Sequence, residues 1–141
     1  MARRKYSTFP ANPTGTTFIE ILKSHANHAR RIRNSVLSKY INTPTKEGYV
    51  YLVYFGIGTY YKIGFSRRVE IRLKEFGAQM PFAPTIEHVI NTDDVYALES
   101  SFHEYFKTKR IRGEWFDLTP DDVCLCKCLQ EISFYRLTVI E

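Results

Sequence analysis

Residues 48–76 read GYVYLVYFGIGTYYKIGFSRRVEIRLKEF, and their periodicity decides the fold. Tyr49 to Phe55 is rich in aromatic and β-branched residues and predicts a strand, Gly56 and Gly58 supply a turn, and Tyr60 to Phe65 predicts the hairpin partner. Ser66 is placed to cap a helix over about 67–76, where Val69, Ile71, Leu73 and Phe76 predict buried contacts and which carries Arg72. Gly77 and Pro81 end that helix, and Thr85 to Ile90 predicts a third strand. The expected class is therefore α+β, a small three-stranded antiparallel sheet flanked by helices.

Working outward, Thr92 or Asp93 predicts the cap of a helix running to about Lys107, with Val95, Leu98, Phe102, Tyr105 and Phe106 on its inner side and Glu99 at the border. Thr119 and Pro120 open a last segment, 119–141, read as a C-terminal packing helix through Leu125, Leu129, Ile132 and Phe134. On the other side, Thr17 and Glu20 form a capping box ahead of Phe18, Leu22, Ala26, Ala29, Ile32, Val36 and Tyr40. That spacing of three or four predicts a helix of about six turns. Residues 1–16 show little periodicity and predict a mobile arm, and 42–48 a linker. The domain reading is thus 1–47 basic arm, helix and linker; 48–118 core; 119–141 packing helix.

Charge divides the chain unequally. Residues 1–47 hold nine Lys or Arg against two Glu, and the rest hold eleven against thirteen acidic residues. The basic character belongs to the N-terminal third, which reads as a basic helical extension suited to a polyanion. At 141 residues and 44% hydrophobic content, one compact domain is expected. No run reaches the roughly 18 apolar residues of a membrane span, and MARRKYSTFP lacks a secretory apolar segment, so an intracellular location and no membrane partner are expected. Cys124, Cys126 and Cys128 alternate without a second ligand pair, and read as reduced structural thiols rather than a zinc site. His25 and His28 likewise lack ligand companions.

The order and spacing of several polar residues carry a further signal. Tyr49, Val50 and Tyr51 stand in the first strand, and Lys62, Ile63 and Gly64 in the second. Arg72 follows Lys62 by ten residues, and ALESSFHEYFKTKRIRGEWF brings Glu99, His103 and the run Gly113 to Phe116. Over Gly48 to about Leu118 the chain resembles the GIY-YIG nuclease superfamily, most closely its small phage and bacterial branch with a Lys-Ile-Gly second motif. Tyr49 stands at the first glycine of the motif, and Lys62 where many members have tyrosine.

The resemblance implies a metal-dependent DNA endonuclease. In that reading Glu99 is the metal ligand for a single Mg²⁺ or Mn²⁺, and Arg72 clamps the phosphoryl oxygens. Tyr51 positions or deprotonates the water, its pKa lowered by a cation for which Lys62 is placed. Tyr49, Gly64 and His103 are supporting candidates, His103 lying one turn from Glu99 on the same helix face. Candidate nucleic-acid contacts are Arg3, Arg4, Lys5, Arg30, Arg31, Arg33, Arg67, Arg68, Arg110 and Arg112. Taken singly, Tyr51 reads first as core packing, Arg72 and Glu99 equally as an ion pair between helices, and Trp115 and Phe116 as core with base stacking a lesser use. The competing functions are a DNA-binding module of the same fold without turnover, and a homodimer built through the apolar stripe of the N-terminal helix.

Overall fold

The computed structural model describes residues 3–4, 12, 15–33, 46–136 and 138–140. Its centre is three long strands, β2 (Gly48–Tyr54), β3 (Tyr60–Ser66) and β4 (Thr85–Thr92), with β2 between the others and antiparallel to both. Short strands extend this centre on either side: β1 (Arg3–Arg4), β5 (Arg110–Arg112), β6 (Trp115–Asp117), β7 (Glu131–Ser133) and β8 (Thr138–Ile140). Among the described residues the sheet has eight strands in the order β1-β8-β7-β4-β2-β3-β6-β5, and β7 runs parallel to β4. The expected small three-stranded antiparallel sheet is therefore overturned in favour of a large mixed one. The added strands span only two or three residues, too few for alternation to show in sequence.

Among the described residues the helices are α1 (Phe18–Arg33), α2 (Val69–Gly77), α3 (Val95–Tyr105) and α4 (Pro120–Lys127), with a 3₁₀ turn at Lys107–Lys109. Asp94, one residue later than expected, caps α3 by accepting from the Ala97 amide at 3.1 Å. Asp93 is engaged instead by Ser133 and the Phe134 amide. The last segment is not one packing helix. A Thr119/Asp122 capping box starts α4, which ends at Lys127, and the chain then returns to the sheet as β7 and β8.

One continuous apolar core lies between the sheet and α1, α3 and α4. Val50, Leu52, Ile63 and Ile90 meet Phe102, Phe106 and Leu98 there, closed by Phe116, Leu125 and Leu129. The α1 stripe is part of this core: Phe18, Ile21, Leu22, Ala26 and Ala29 are buried, and Phe18 stacks on Phe102 with ring centres 4.8 Å apart. So α1 is not an appended extension, and its stripe on residues 18–29 is used within the chain rather than kept for a second copy. Val36 and Tyr40 lie outside the described residues. The opposite sheet face is lightly covered by α2, none of whose residues is buried; Ile71 is 49% exposed, against the expected contacts. Among the described residues no helix is long and apolar enough to cross a membrane.

Candidate active site

The site forms where β6 leaves β3. Their ladder ends at Lys62 opposite Trp115, and the next residue, Ile63, has its amide satisfied by the Glu114 carbonyl at 3.0 Å. The Ile63 carbonyl faces His103 Nε2 at 3.0 Å, and since a carbonyl only accepts, that nitrogen carries the proton. Burial lowers the His103 pKa, so the ring is held neutral. His103 thus ties α3 to the open edge of β3, one turn from Glu99. Its Nε2 bond is to backbone, which leaves Nδ1 as the ring's lone-pair nitrogen.

Gly64 explains how Tyr51 fits. The two pair directly across β2 and β3, and a Cβ on Gly64 would lie 2.5 Å from the Tyr51 hydroxyl oxygen and 2.7 Å from its Cζ. Only a bare backbone lets the ring lie across the neighbouring strand. Tyr51 is 2% exposed, stacks against Phe76 of α2 and receives a hydrogen bond from Arg72. Burial first, then the Glu114 carboxylate, push its hydroxyl up to about 12, overcoming the pull of Arg72. The expected lowering of the Tyr51 pKa by Lys62 is therefore not what the environment does.

Lys62 projects from the same face as Tyr51 and is mostly buried. Its ammonium donates to Glu114 at 2.6 Å and lies 5.2 Å from the Phe76 ring centre and 5.9 Å from that of Trp115. Glu114 follows Gly113, whose φ of +56° turns β5 into β6, and its role went unread in sequence although it sits inside the Gly113–Phe116 run. The signal was an acidic residue directly after a turn glycine. Arg72 pairs with Glu75 at 3.2 Å rather than with Glu99, which removes the helix-to-helix ion pair as an explanation of both.

Glu99 is the chemically unusual group. Its Oε2 is buried and has no hydrogen-bond partner among the described residues. Burial first, then the charge of Glu114, raise its pKa to about 7, with Lys62 pulling the other way. A half-neutral carboxyl in such a place is the mark of a group arranged for a cation or a proton. Among the described residues no cluster of three or more His, Cys, Asp or Glu could hold a metal, so a cation here would rest on this carboxylate and water.

The predicted nucleic-acid residues are dispersed. Arg67, Arg68 and Arg72 line a cleft of about 610 Å³ with Ser66 and Tyr96, beside the site. Arg110 and Arg112 lie on β5 at one sheet edge. Arg3 and Arg4 form β1 at the opposite edge, paired with Ile140 and Val139, while most of the expected mobile arm over 1–16 lies outside the described residues. Arg31 is exposed on α1, whereas the side chains of Arg30 and Arg33, and all of Lys5, lie outside the described residues. Tyr49 is 39% exposed on the site's face, two residues before Tyr51.

With this geometry in hand, comparison adds the family. The model of the T5orf172 domain matches residues 48–132, more than half of the chain. The chain belongs to the T5orf172 domain family. The matched span runs from the first residue of β2 to the middle of β7, so it contains the three long strands and every residue of the site. T5orf172 domains are phage-associated, and a DNA-related role, binding or nuclease-like, goes with the family. No match is found among curated proteins or solved structures.

Proposed function

We propose that this T5orf172 chain is a divalent-metal-dependent DNA endonuclease with a GIY-YIG-type site. The observation that carries the reading is the buried, unpartnered oxygen of Glu99, within electrostatic reach of Lys62 and Tyr51. Such an oxygen fits a cation, since a carboxylate out of water without a partner costs free energy that a ligand removes. Mg²⁺ or Mn²⁺ bound by Glu99 supplies Lewis acidity toward the scissile phosphate and the departing 3′ oxygen.

The remaining parts act through the chain itself. Arg72 offers a fork of permanent donors to phosphoryl oxygens whose charge grows toward the transition state. Tyr51, with its pKa at about 12, keeps its proton at neutral pH and serves by orienting water or phosphate. Lys62 adds positive charge, held in place by Glu114 and two rings. The binding-module alternative draws on one observation: Glu114 already neutralises Lys62, so the ammonium must exchange its partner before it reaches a phosphate.

The deciding experiment is cleavage of labelled plasmid and branched DNA in Mg²⁺ or Mn²⁺, for wild type and Glu99→Ala, with an EDTA control. Cutting that requires both metal and Glu99 is expected. Folded protein that binds these DNAs and never cuts them refutes the enzyme and leaves the binding module.

A further inference from the structure

The face of the sheet that carries Lys62 continues toward β5 as an aromatic surface of which the proposed chemistry uses only Trp115. Lys62 pairs with Trp115, and Trp115 with Arg112. Directly paired residues of an antiparallel ladder project from one face, so these three form a row. Two positions back along β3, Tyr60 projects from the same face. Phe55 gathers the rings, meeting Trp115 edge-on at 5.4 Å, Phe82 at 6.1 Å and Tyr60 at 6.5 Å. Yet Tyr60 is 42% and Phe82 48% exposed, as is Ile57 at the hairpin tip. Large rings left open in a contiguous patch mark a surface that receives something.

Charge selects the occupant. Of the cations over residues 107–112, Arg112 lies on the ring face, beside Trp115, whereas Arg110 sits over Phe116 on the other face, and the ring face also carries Asp117 opposite Tyr60, engaged by Thr59. Lys109 is taken by Asp122, while Lys107 and Arg112 are exposed. Exposed rings beside a row that begins at Lys62 and ends at the exposed Arg112 fit a nucleic-acid strand whose bases are unpaired, because each base has a face to stack and its phosphates can meet Arg112. Paired bases inside a duplex offer no such faces. A protein partner of neutral or basic surface would find the cations unfavourable.

We infer that Tyr60 and Phe82, with Trp115 and Arg112 beside them, form a stacking site for single-stranded DNA next to the active site, so that the substrate class is flapped, branched or otherwise partly unpaired DNA. The inference rests on the reading of this face as one that contacts DNA. Phe55 links Tyr60 and Phe82 to Trp115, so the rings adjoin the site through that one residue.

The test is fluorescence anisotropy in EDTA, which removes turnover, comparing a blunt duplex with the same duplex carrying a single-stranded flap that contains 2-aminopurine. The flap is expected to tighten binding at least tenfold and its fluorescence to be quenched on binding. Tyr60→Ala and Phe82→Ala each remove on the order of tenfold from the flap affinity and leave the blunt duplex unaffected, while Tyr60→Phe retains it. Equal affinity for the two DNAs, or an unquenched flap with wild type, overturns the stacking site. Flap preference without cleavage in Mg²⁺ upholds the stacking site while refuting the nuclease, and cleavage without flap preference does the reverse.

Discussion

Replacing Glu99 by Gln should make the metal-free protein more stable at pH 8, although it removes the proposed ligand. The wild-type carboxyl has a pKa of about 7 where an ordinary one has 4.5, because burial and Glu114 both resist its charge. The folded state therefore binds the extra proton between those values, and stability falls as pH rises through that window. Below about 4.5 the group is neutral folded or unfolded and there is no penalty. Above about 7 the penalty is complete. At about 1.4 kcal/mol for each tenfold change in protonation, its ceiling is about 3 kcal/mol, less whatever the site relaxes. Gln is neutral at every pH and nearly the same shape, so the variant escapes it.

The assay is thermal or urea denaturation in EDTA at pH 8 and pH 4.5, wild type against Glu99→Gln. A gain of about 1–3 kcal/mol at pH 8, a rise of several degrees in Tm for a chain of this size, should shrink to nothing at pH 4.5. Saturating Mg²⁺ should then reverse the order at pH 8, because only wild type gains the binding term, about 2.7 kcal/mol at a hundred times Kd. A variant no more stable than wild type at pH 8 would refute the account of Glu99 as a charge held without a partner. The reading does not depend on finding the right DNA.

Two further outcomes follow from packing. Gly64→Ala should cost about 1–3 kcal/mol through its clash with the Tyr51 ring, and the cost should largely vanish in a Tyr51→Ala background; additive losses in that double-mutant cycle would show that Tyr51 is not the obstacle. Phe18→Ala should cost about 3–5 kcal/mol, and deletion of residues 1–45 should abolish cooperative unfolding; a deleted protein that still melts sharply would show that α1 is dispensable to the core.

What could be read from sequence depended on how far each signal extended along the chain. The hairpin of β2 and β3 was legible because seven-residue strands rich in Tyr, Val and Ile repeat a pattern several times over. Arg110–Arg112 and Trp115–Asp117 offered three residues each, and their strand character comes from pairing with β3, which no local window contains. α2 misled in the other direction: Val69, Ile71 and Leu73 suggested a covered face, but of its apolar residues only Phe76 is seen meeting the site. In α1 the apolar stripe was read correctly while the arginines suggested an appendage. The stripe decides, since burial of Phe18 and its neighbours outweighs charges that stay in water. Glu114 could not be assigned beforehand, because its meaning lies in reaching Lys62 across 52 residues of chain.

The same short strands also determine how two faces of one sheet meet at a single site. Tyr51 and Lys62 project toward α2, whereas Glu99 is carried by α3 on the core side. In a sheet of unbroken pairing the intervening strand would separate them. Because β6 stops at Lys62, the edge of β3 beyond Ile63 is open, and Glu99 comes within electrostatic reach of Lys62, Glu114 and Tyr51 around it. His103 fastens α3 to that edge through the Ile63 carbonyl, and Phe18 of α1 supports α3 from behind by stacking on Phe102. The position of the proposed metal ligand is thus set by these two contacts, neither of which touches a metal. A loss in either of them would move Glu99 relative to Tyr51 and Arg72 before it unfolded the domain, which is why positioning here should be as sensitive as the chemistry itself.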